Sequence, residues 1–570
     1  MKSALTILIW LCAITAWSVP AQPVQKTVKG ADGAPLTIVL RGDENYHFYT
    51  TLDGVPVVHD EANDCWVLAP QLADSLSAVW HTRLKARNAR RTACAAAKRR
   101  SALATSMTKR KGLVILVEFS DRRMKSTSTL AKFNQMFNQE GYSANNHQGS
   151  IHDYFYDQSY GALDLTFDIV GPVTAPKELA YYGKNYPDEN GDDMHPAELV
   201  TEVCQLADRN YDLTWSDYDW DGDGEVEQVF IIYAGYGEQA GAPSYTLWAH
   251  EWTMEEAMNY NDGNGPFTLG GCTINTYAMT CELSSFVGSK MSGIGTACHE
   301  FSHCLGLPDF YNTNYTKGFG MNAWDLMSSG SSNGPSGNDE CPAPFTAYER
   351  WFCGWLEPQL LQDSQCITDM PDLQDEPVAY LIRNEACPTE YFLLENRQAK
   401  RWGSYVRTYS DMHGMLVCHV DEDEAAWANN TVNNSPSHQR MAIIPANQTY
   451  GSWMGSSYSL TAAQYRGQLF PGTEDVTTLD SLSHAQHGGT LFHDNTYGTR
   501  SLPFDITDIT ETEGLLSFCF SVPDTPSSPI SNLPQTPHVQ QYYNLQGMPI
   551  THPVAPGIYL TRNKKKVLYK

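Results

Sequence analysis

Apolar residues fall into strand-like runs toward both ends of the chain and into helical spacing in its middle. Between residues 22 and 110, runs such as Leu36-Thr-Ile-Val-Leu40 and Tyr46-His-Phe-Tyr-Thr-Thr51 alternate with turn formers such as Asp53-Gly54, a strand-rich pattern. Gly112 to Phe119 is almost continuously apolar, as in a strand buried on both faces, and Gln228 to Ala234 repeats it. Between them, His195 to Asn210 carries Leu199, Val203, Leu206 and Ala207 at helical spacing with carboxylates opposite. Ala297, Phe301, Cys304 and Leu305 recur at the same period, and Gly306 and Pro308 predict the end of that helix. Phe345, Tyr348 and Trp351 or Phe352 line another, stopped by Gly354. From Pro358 to Val522 strand-like runs return, among them Tyr391-Phe-Leu-Leu394, Gly414-Met-Leu-Val-Cys-His-Val420 and Leu515-Leu-Ser-Phe-Cys-Phe-Ser521. They read as a β-sandwich-like domain.

The pattern therefore predicts an α+β multidomain chain. Its parts are a strand-rich segment (22–110), an α/β domain (111–357), the β-sandwich-like domain (358–522) and a Pro- and Ser-rich linker with a short tail (523–570). Ahead of these, Met1-Lys2, the apolar run Ala4 to Trp17 and Val19-Pro-Ala21 have the layout of a secretory leader, residues 1–21. The tail, from Tyr542 to Val567, is similar to sorting tails of exported Bacteroidota proteins, and a disordered terminus fits it equally.

Charge and cysteine content narrow the partners. A formal charge of −27 argues against nucleic acid, whose phosphates need Lys and Arg. No apolar run beyond the N-terminus is long enough to span a bilayer. Loss of Cys12 with the leader would leave 13 of the 14 cysteines, and an exported chain would pair some of them. From His81 to Val117 there is no acidic residue, while Arg83, Lys85, Arg90, Arg91, Lys98 to Arg100 and Lys109 to Lys111 crowd together. We read residues 22–110 as a propeptide ending in a basic linker open to an activating protease or to self-cleavage. A solvated helix over 83–104 is compatible with that reading.

The chemistry concentrates in Gly295-Thr-Ala-Cys-His299-Glu300-Phe-Ser-His303-Cys-Leu-Gly306-Leu-Pro-Asp309. His299 and His303, one helical turn apart, have the spacing that binds one Zn²⁺, and Glu300 between them is placed to deprotonate a zinc-bound water. A sharp turn at Gly306 brings Asp309 toward the metal as third ligand. The resulting H-E-x-x-H-x-x-G-x-x-D is a variant of the metzincin pattern, in which the last ligand is more often His. Trp324-Asp-Leu-Met327-Ser-Ser-Gly330 would supply a methionine turn; without the upstream motif Met327 would be read as core filler.

With these residues the chain resembles the immune inhibitor A family of secreted bacterial metallopeptidases. Further matches are Lys111-Gly-Leu-Val-Ile-Leu-Val-Glu-Phe119, Gly149-Ser-Ile-His-Asp-Tyr-Phe155 with Ser159-Tyr-Gly161, Tyr218-Asp-Trp-Asp-Gly-Asp-Gly-Glu-Val226, Phe345-Thr-Ala-Tyr-Glu-Arg-Trp351 and Tyr391-Phe-Leu-Leu-Glu-Asn-Arg397. The resemblance implies a zincin-like catalytic domain and a secreted, extracellular zinc endopeptidase acting on protein or peptide substrates. A binding or adhesion protein on a silent zincin scaffold, which the intact Glu300 argues against, and a zinc hydrolase of non-peptide amides stay open.

A second cation site is expected at Asp219, Asp221, Asp223 and Glu227, which occupy positions 1, 3, 5 and 9 of an EF-hand loop. Position 12 is Phe230, so the loop is not an EF-hand, and calcium there would be structural. His250 and the His152-Asp153 pair are read as structural, and Glu349 and Glu395 as bases only if the fold brings them to the metal.

Overall fold

A computed structural model of the chain describes residue 21 and residues 25–43, 46–60, 62–72, 107–186, 193–258, 262–284, 290–313, 320–384, 387–435, 438–449, 460–480 and 504–522. It also describes short strands at 17–18 and between 542 and 569. Most of the expected leader and most of the basic linker, including Arg90, Arg91 and Lys98 to Arg100, lie outside the described residues. Among the described residues no helix is long and apolar enough to cross a membrane.

The central element is the strand Thr108–Glu118. It pairs in parallel with Leu163–Thr174 on one side and Val229–Tyr236 on the other; Val229–Tyr236 pairs in parallel with Thr276–Leu283, His250–Thr253 follows antiparallel, and Trp17–Ser18, from the expected leader, pairs antiparallel with it at the edge. Alternation along the central strand explains its continuous apolar run. Val114 and Leu116 enter a core with Phe133, Phe155, Phe230 and Phe301, whereas Leu113, Ile115 and Val117 enter another with Leu199, Val203, Ile231 and Met279. The helix Pro196–Asn210 thus covers one face of the sheet, and the helices Leu130–Asn138, Ile151–Gln158 and Gly295–His303 cover the other.

The strand begins earlier than the sequence suggests. Thr108, Lys109, Arg110 and Lys111 already pair with Leu163 to Thr166, so Lys109–Lys111 are sheet residues rather than linker. Their charges are accommodated by acidic neighbours: Lys109 Nζ lies 3.5 Å from Asp164, and Lys111 Nζ bonds Asp168 at 3.3 Å and Asp217 at 3.0 Å.

Residues 25–68 form an antiparallel five-stranded sheet in chain order. It docks on the α/β half through His47, whose ring stacks on Trp248 at 4.3 Å and whose Nε2 pairs with Glu238 at 3.0 Å; Leu40 and Ala21 complete the contact.

The C-terminal region has a five-stranded sheet, in the order Gln359–Leu360, Tyr380–Arg383, Glu390–Arg397, Gly414–Asp421, Met441–Ile443, and a three-stranded one, Gln365–Met370, Leu515–Ser521, Asp505–Thr512. They pack face to face over Met370, Phe392, Leu394, Val417, Phe518 and Phe520. Cys366 and Cys519, opposite one another in register, form a disulfide. The outer face of the larger sheet is also covered: Leu393, Leu416, Val420 and Ile443 belong to the same core as Phe301 and Tyr348. The compact unit accordingly runs to Val522. Residues 523–570 form a second unit with an antiparallel four-stranded sheet, in the order Pro549–Ile550, Tyr542–Tyr543, Gly557–Thr561, Lys566–Tyr569.

Candidate metal centre

The helix Gly295–His303 starts against the loop that carries Asp339. The Asp339 carbonyl accepts from the N–H groups of Ile294 and Gly295, and its carboxylate accepts from the Thr296 hydroxyl at 2.9 Å. Position 295 has no room for a side chain, since a Cβ there would lie 1.9 Å from the Ser331 carbonyl oxygen. All nine helix residues are buried, so the two faces expected from the periodicity are both interior: Ala297, Cys298 and Phe301 join the core, and His299 and His303 meet the buried Asp309. The helix ends as predicted. Gly306 adopts φ +89°, and its N–H donates to the His303 carbonyl at 2.8 Å.

This turn returns the chain so that Asp309 Oδ1 stands 3.1 Å from His299 Nε2 and 3.8 Å from His303 Nε2. Two ligand atoms about 2.1 Å from a tetrahedral zinc are about 3.4 Å apart, so the spacing suits one small divalent cation. His299 Nδ1 donates to the Leu326 carbonyl at 2.9 Å and His303 Nδ1 to the Leu307 carbonyl at 2.8 Å. A carbonyl only accepts, so both Nδ1 atoms carry a proton, and both Nε2 atoms are the ones turned toward Asp309. His299 Nε2, Asp309 Oδ1 and both Glu300 oxygens are buried without a hydrogen-bond partner, an expensive arrangement for a closed apolar core and the expected one for a cation site with an adjacent base. The residues fit a divalent metal with a taste for nitrogen and oxygen ligands.

The electrostatics of the side chains by themselves agree. Burial disfavours charge on His299, yet Asp309 and Glu300 outweigh it and push that imidazole up to about 9. For His303, burial and the neighbouring His299 hold it well below the usual range. Burial, opposed by His299 and aided by Asp309, pushes Glu300 up to about 8. One proton on His299 thus stands in for part of the charge that a cation would supply.

The expected methionine turn lies against this site. Met327 is fully buried in the core shared with Ala297, Leu326 holds His299 through its carbonyl, and the Phe310 N–H donates to the Met327 carbonyl at 2.7 Å. One residue escaped the sequence reading. Asn430, 121 positions beyond Asp309, accepts from the Asp309 N–H at 2.8 Å and donates from Nδ2 to Asp309 Oδ2 at 2.6 Å. Local sequence gives no hint of it, because the contact is created by tertiary packing alone.

The remaining candidates separate. His152 bonds Asp164, and His250 bonds the Trp248 carbonyl and the Tyr277 hydroxyl. Glu349 closes a capping box with Thr346, and Glu395 accepts from the Ala347 N–H and pairs with Arg397. In the acidic loop Asp219, Asp221 and Glu227 come together, and Asp223 does not join them; all four carboxylates accept from backbone N–H groups of the loop.

The family model described as Immune inhibitor A peptidase M6, catalytic domain, matches residues 98–354. The chain is 28% identical over 241 residues to the Pre-pro-metalloprotease PrtV of Vibrio cholerae serotype O1, covering 38% of this chain and 25% of that protein. It is 28% identical over 258 residues to Immune inhibitor A of Bacillus thuringiensis subsp. alesti, covering 39% and 36%. The match therefore spans well under half of either relative's length.

Proposed function

Since the chain belongs to the immune inhibitor A family of metallopeptidases, we propose that it is a secreted zinc endopeptidase cleaving peptide bonds in protein substrates. The observation that carries this reading is the convergence of His299 Nε2, His303 Nε2 and Asp309 Oδ1 beside the unpartnered carboxyl of Glu300. Three protein ligands leave a fourth position, the usual arrangement of a catalytic rather than a structural zinc site. Zinc held there supplies Lewis acidity, bringing the pKa of water to about 7 and polarising the scissile carbonyl.

The rest is the work of the chain's own residues. Leu326 and Leu307 fix the imidazole tautomers, and Asp309 contributes the anionic ligand. Glu300 takes the proton of the attacking water and returns it to the leaving amine nitrogen, a double role open to a carboxylate held beside the ligands. The test is Glu300→Gln, read by zinc content and cleavage of a protein substrate. Zinc should be retained and cleavage should fall by about 10²- to 10⁴-fold; equal cleavage by both proteins would end the proposal.

The full-length chain is read as a latent form. Glu300 is 0% exposed in this state, and the sheet of residues 25–68 is docked on the α/β half through His47, Trp248 and Glu238. Export is supported by the leader-like start and by the Cys366–Cys519 disulfide, which suits an oxidising compartment. The acidic loop is proposed as a structural calcium site formed by Asp219, Asp221 and Glu227.

A further inference from the structure

The short helix Glu424–Ala428 is capped at its start by Asp423, which accepts from the Ala426 N–H, and it ends in a Schellman turn. The Thr431 N–H donates to the Ala426 carbonyl at 2.9 Å and the Asn430 N–H to the Trp427 carbonyl at 3.3 Å. Asn430 therefore occupies the left-handed position, with φ +51°, which Asn tolerates better than most residues. The backbone of the turn alone could be met by Gly. What Asn adds is its side chain, which is 6% exposed and spans two atoms of a single residue: it accepts from the Asp309 N–H and donates to Asp309 Oδ2.

We propose that Asn430 is a positioning residue for the metal centre, holding the Asp309 carboxylate so that Oδ1 faces His299 and His303. The amide occupies Oδ2 and anchors the backbone of the same residue, which removes rotation about the Asp309 side chain and leaves Oδ1 as its only open oxygen. Neighbours brace the arrangement. Thr313 donates to the Asn430 carbonyl at 3.0 Å, and Asn433 donates to the Phe310 carbonyl at 2.8 Å. The segment 430–433 thus straps the ligand loop 309–313 from the C-terminal half, which gives that half a part in the metal site.

The inference rests on the ligand set proposed above, and its test separates the two. In the full chain, Asn430→Gly removes the side chain without straining the left-handed backbone, and Asn430→Asp keeps an acceptor for the Asp309 N–H while setting a carboxylate against Asp309 Oδ2. Zinc affinity is measured by competition with a chelator, and coordination by the visible absorption of Co²⁺ added in place of zinc. Both variants should bind zinc at least tenfold, and up to about a hundredfold, more weakly, with an altered Co²⁺ spectrum. In an Asp309→Ala background, Asn430→Gly should weaken binding no further, because its partner is already gone. Wild-type affinity and spectrum in folded Asn430→Gly overturn the assignment, as does an undiminished loss in the Asp309→Ala background. If Asn430→Gly does not fold, Asn430→Asp is judged by the same affinity and spectrum. An Asp309→Ala protein with wild-type zinc affinity would instead refute the ligand set itself, a result read without touching position 430.

Discussion

Thr296 donates its hydroxyl to Asp339 Oδ2 at 2.9 Å, tying the first turn of the histidine-bearing helix to a buried carboxyl 43 residues later. Burial dominates over the Thr296 bond and pushes Asp339 up to about 7. Between about pH 4 and 7 the folded state keeps a proton that the unfolded chain has released, so stability falls as pH rises through that window. Asp339→Asn removes the titration and keeps an acceptor for Thr296, and the left-handed backbone at this position suits Asn. Its advantage over the wild type should grow from pH 4.5 to 7.5, by an amount on the order of 4 kcal/mol at most. Urea unfolding at the two pH values checks this; a pH-independent difference contradicts it.

Gly295→Ala should damage the same helix from its other side. Gly to Ala inside a helix ordinarily gains up to about 1 kcal/mol. Here the added methyl would begin 1.9 Å from the Ser331 carbonyl oxygen, and backbone must move to admit it. Overpacking of this kind costs about 1 to 3 kcal/mol, so the clash should win and the thermal midpoint should drop. A raised midpoint would show that the Ser331 loop yields freely.

Activation should require a cut before Thr108. The basic stretch offers Arg90-Arg91 and Lys98-Arg-Arg100, whereas Lys109 to Lys111 are held in the central sheet against Leu163 to Thr166. Purified full-length chain should be nearly inactive, and N-terminal sequencing of the active species should find a start between residues 91 and 108. An active protein beginning near Gln22 would refute the propeptide.

Calcium should raise the thermal midpoint by binding the folded chain preferentially. The control is Asp219→Asn with Asp221→Asn, since these carboxylates converge with Glu227 and Asp223 does not. An unchanged calcium response in that variant would place the effect elsewhere.

The parts of the site legible in the sequence were those governed by local geometry. Two histidines one helical turn apart, the base between them and a glycine whose left-handed φ reverses the chain are all short-range features, and His299, His303 and Asp309 lie together in the structure. The paired strands and the flanking amphipathic helix were equally readable from their periods. Where the reading fell short, the cause was distance along the chain. Lys109 and Lys111 look like linker until Asp164, Asp168 and Asp217 are seen beside them. Asp223 matches a ligand spacing but stands outside the cluster of Asp219, Asp221 and Glu227. Asn430 is ordinary in its own neighbourhood and meaningful only against Asp309.

The large C-terminal sheet, apolar on both faces, sets the smallest piece of this protein that can stand alone. The match to the family's catalytic domain stops at Gly354, yet Phe301 and Tyr348 share one interior with Leu393, Leu416 and Ile443. A recombinant product trimmed to the recognised segment would leave that interior open to water, a broad sticky surface of the sort that drives aggregation. The stretch that inheritance marks out is shorter than the stretch that can fold, and an expression boundary belongs after Val522 rather than after Gly354.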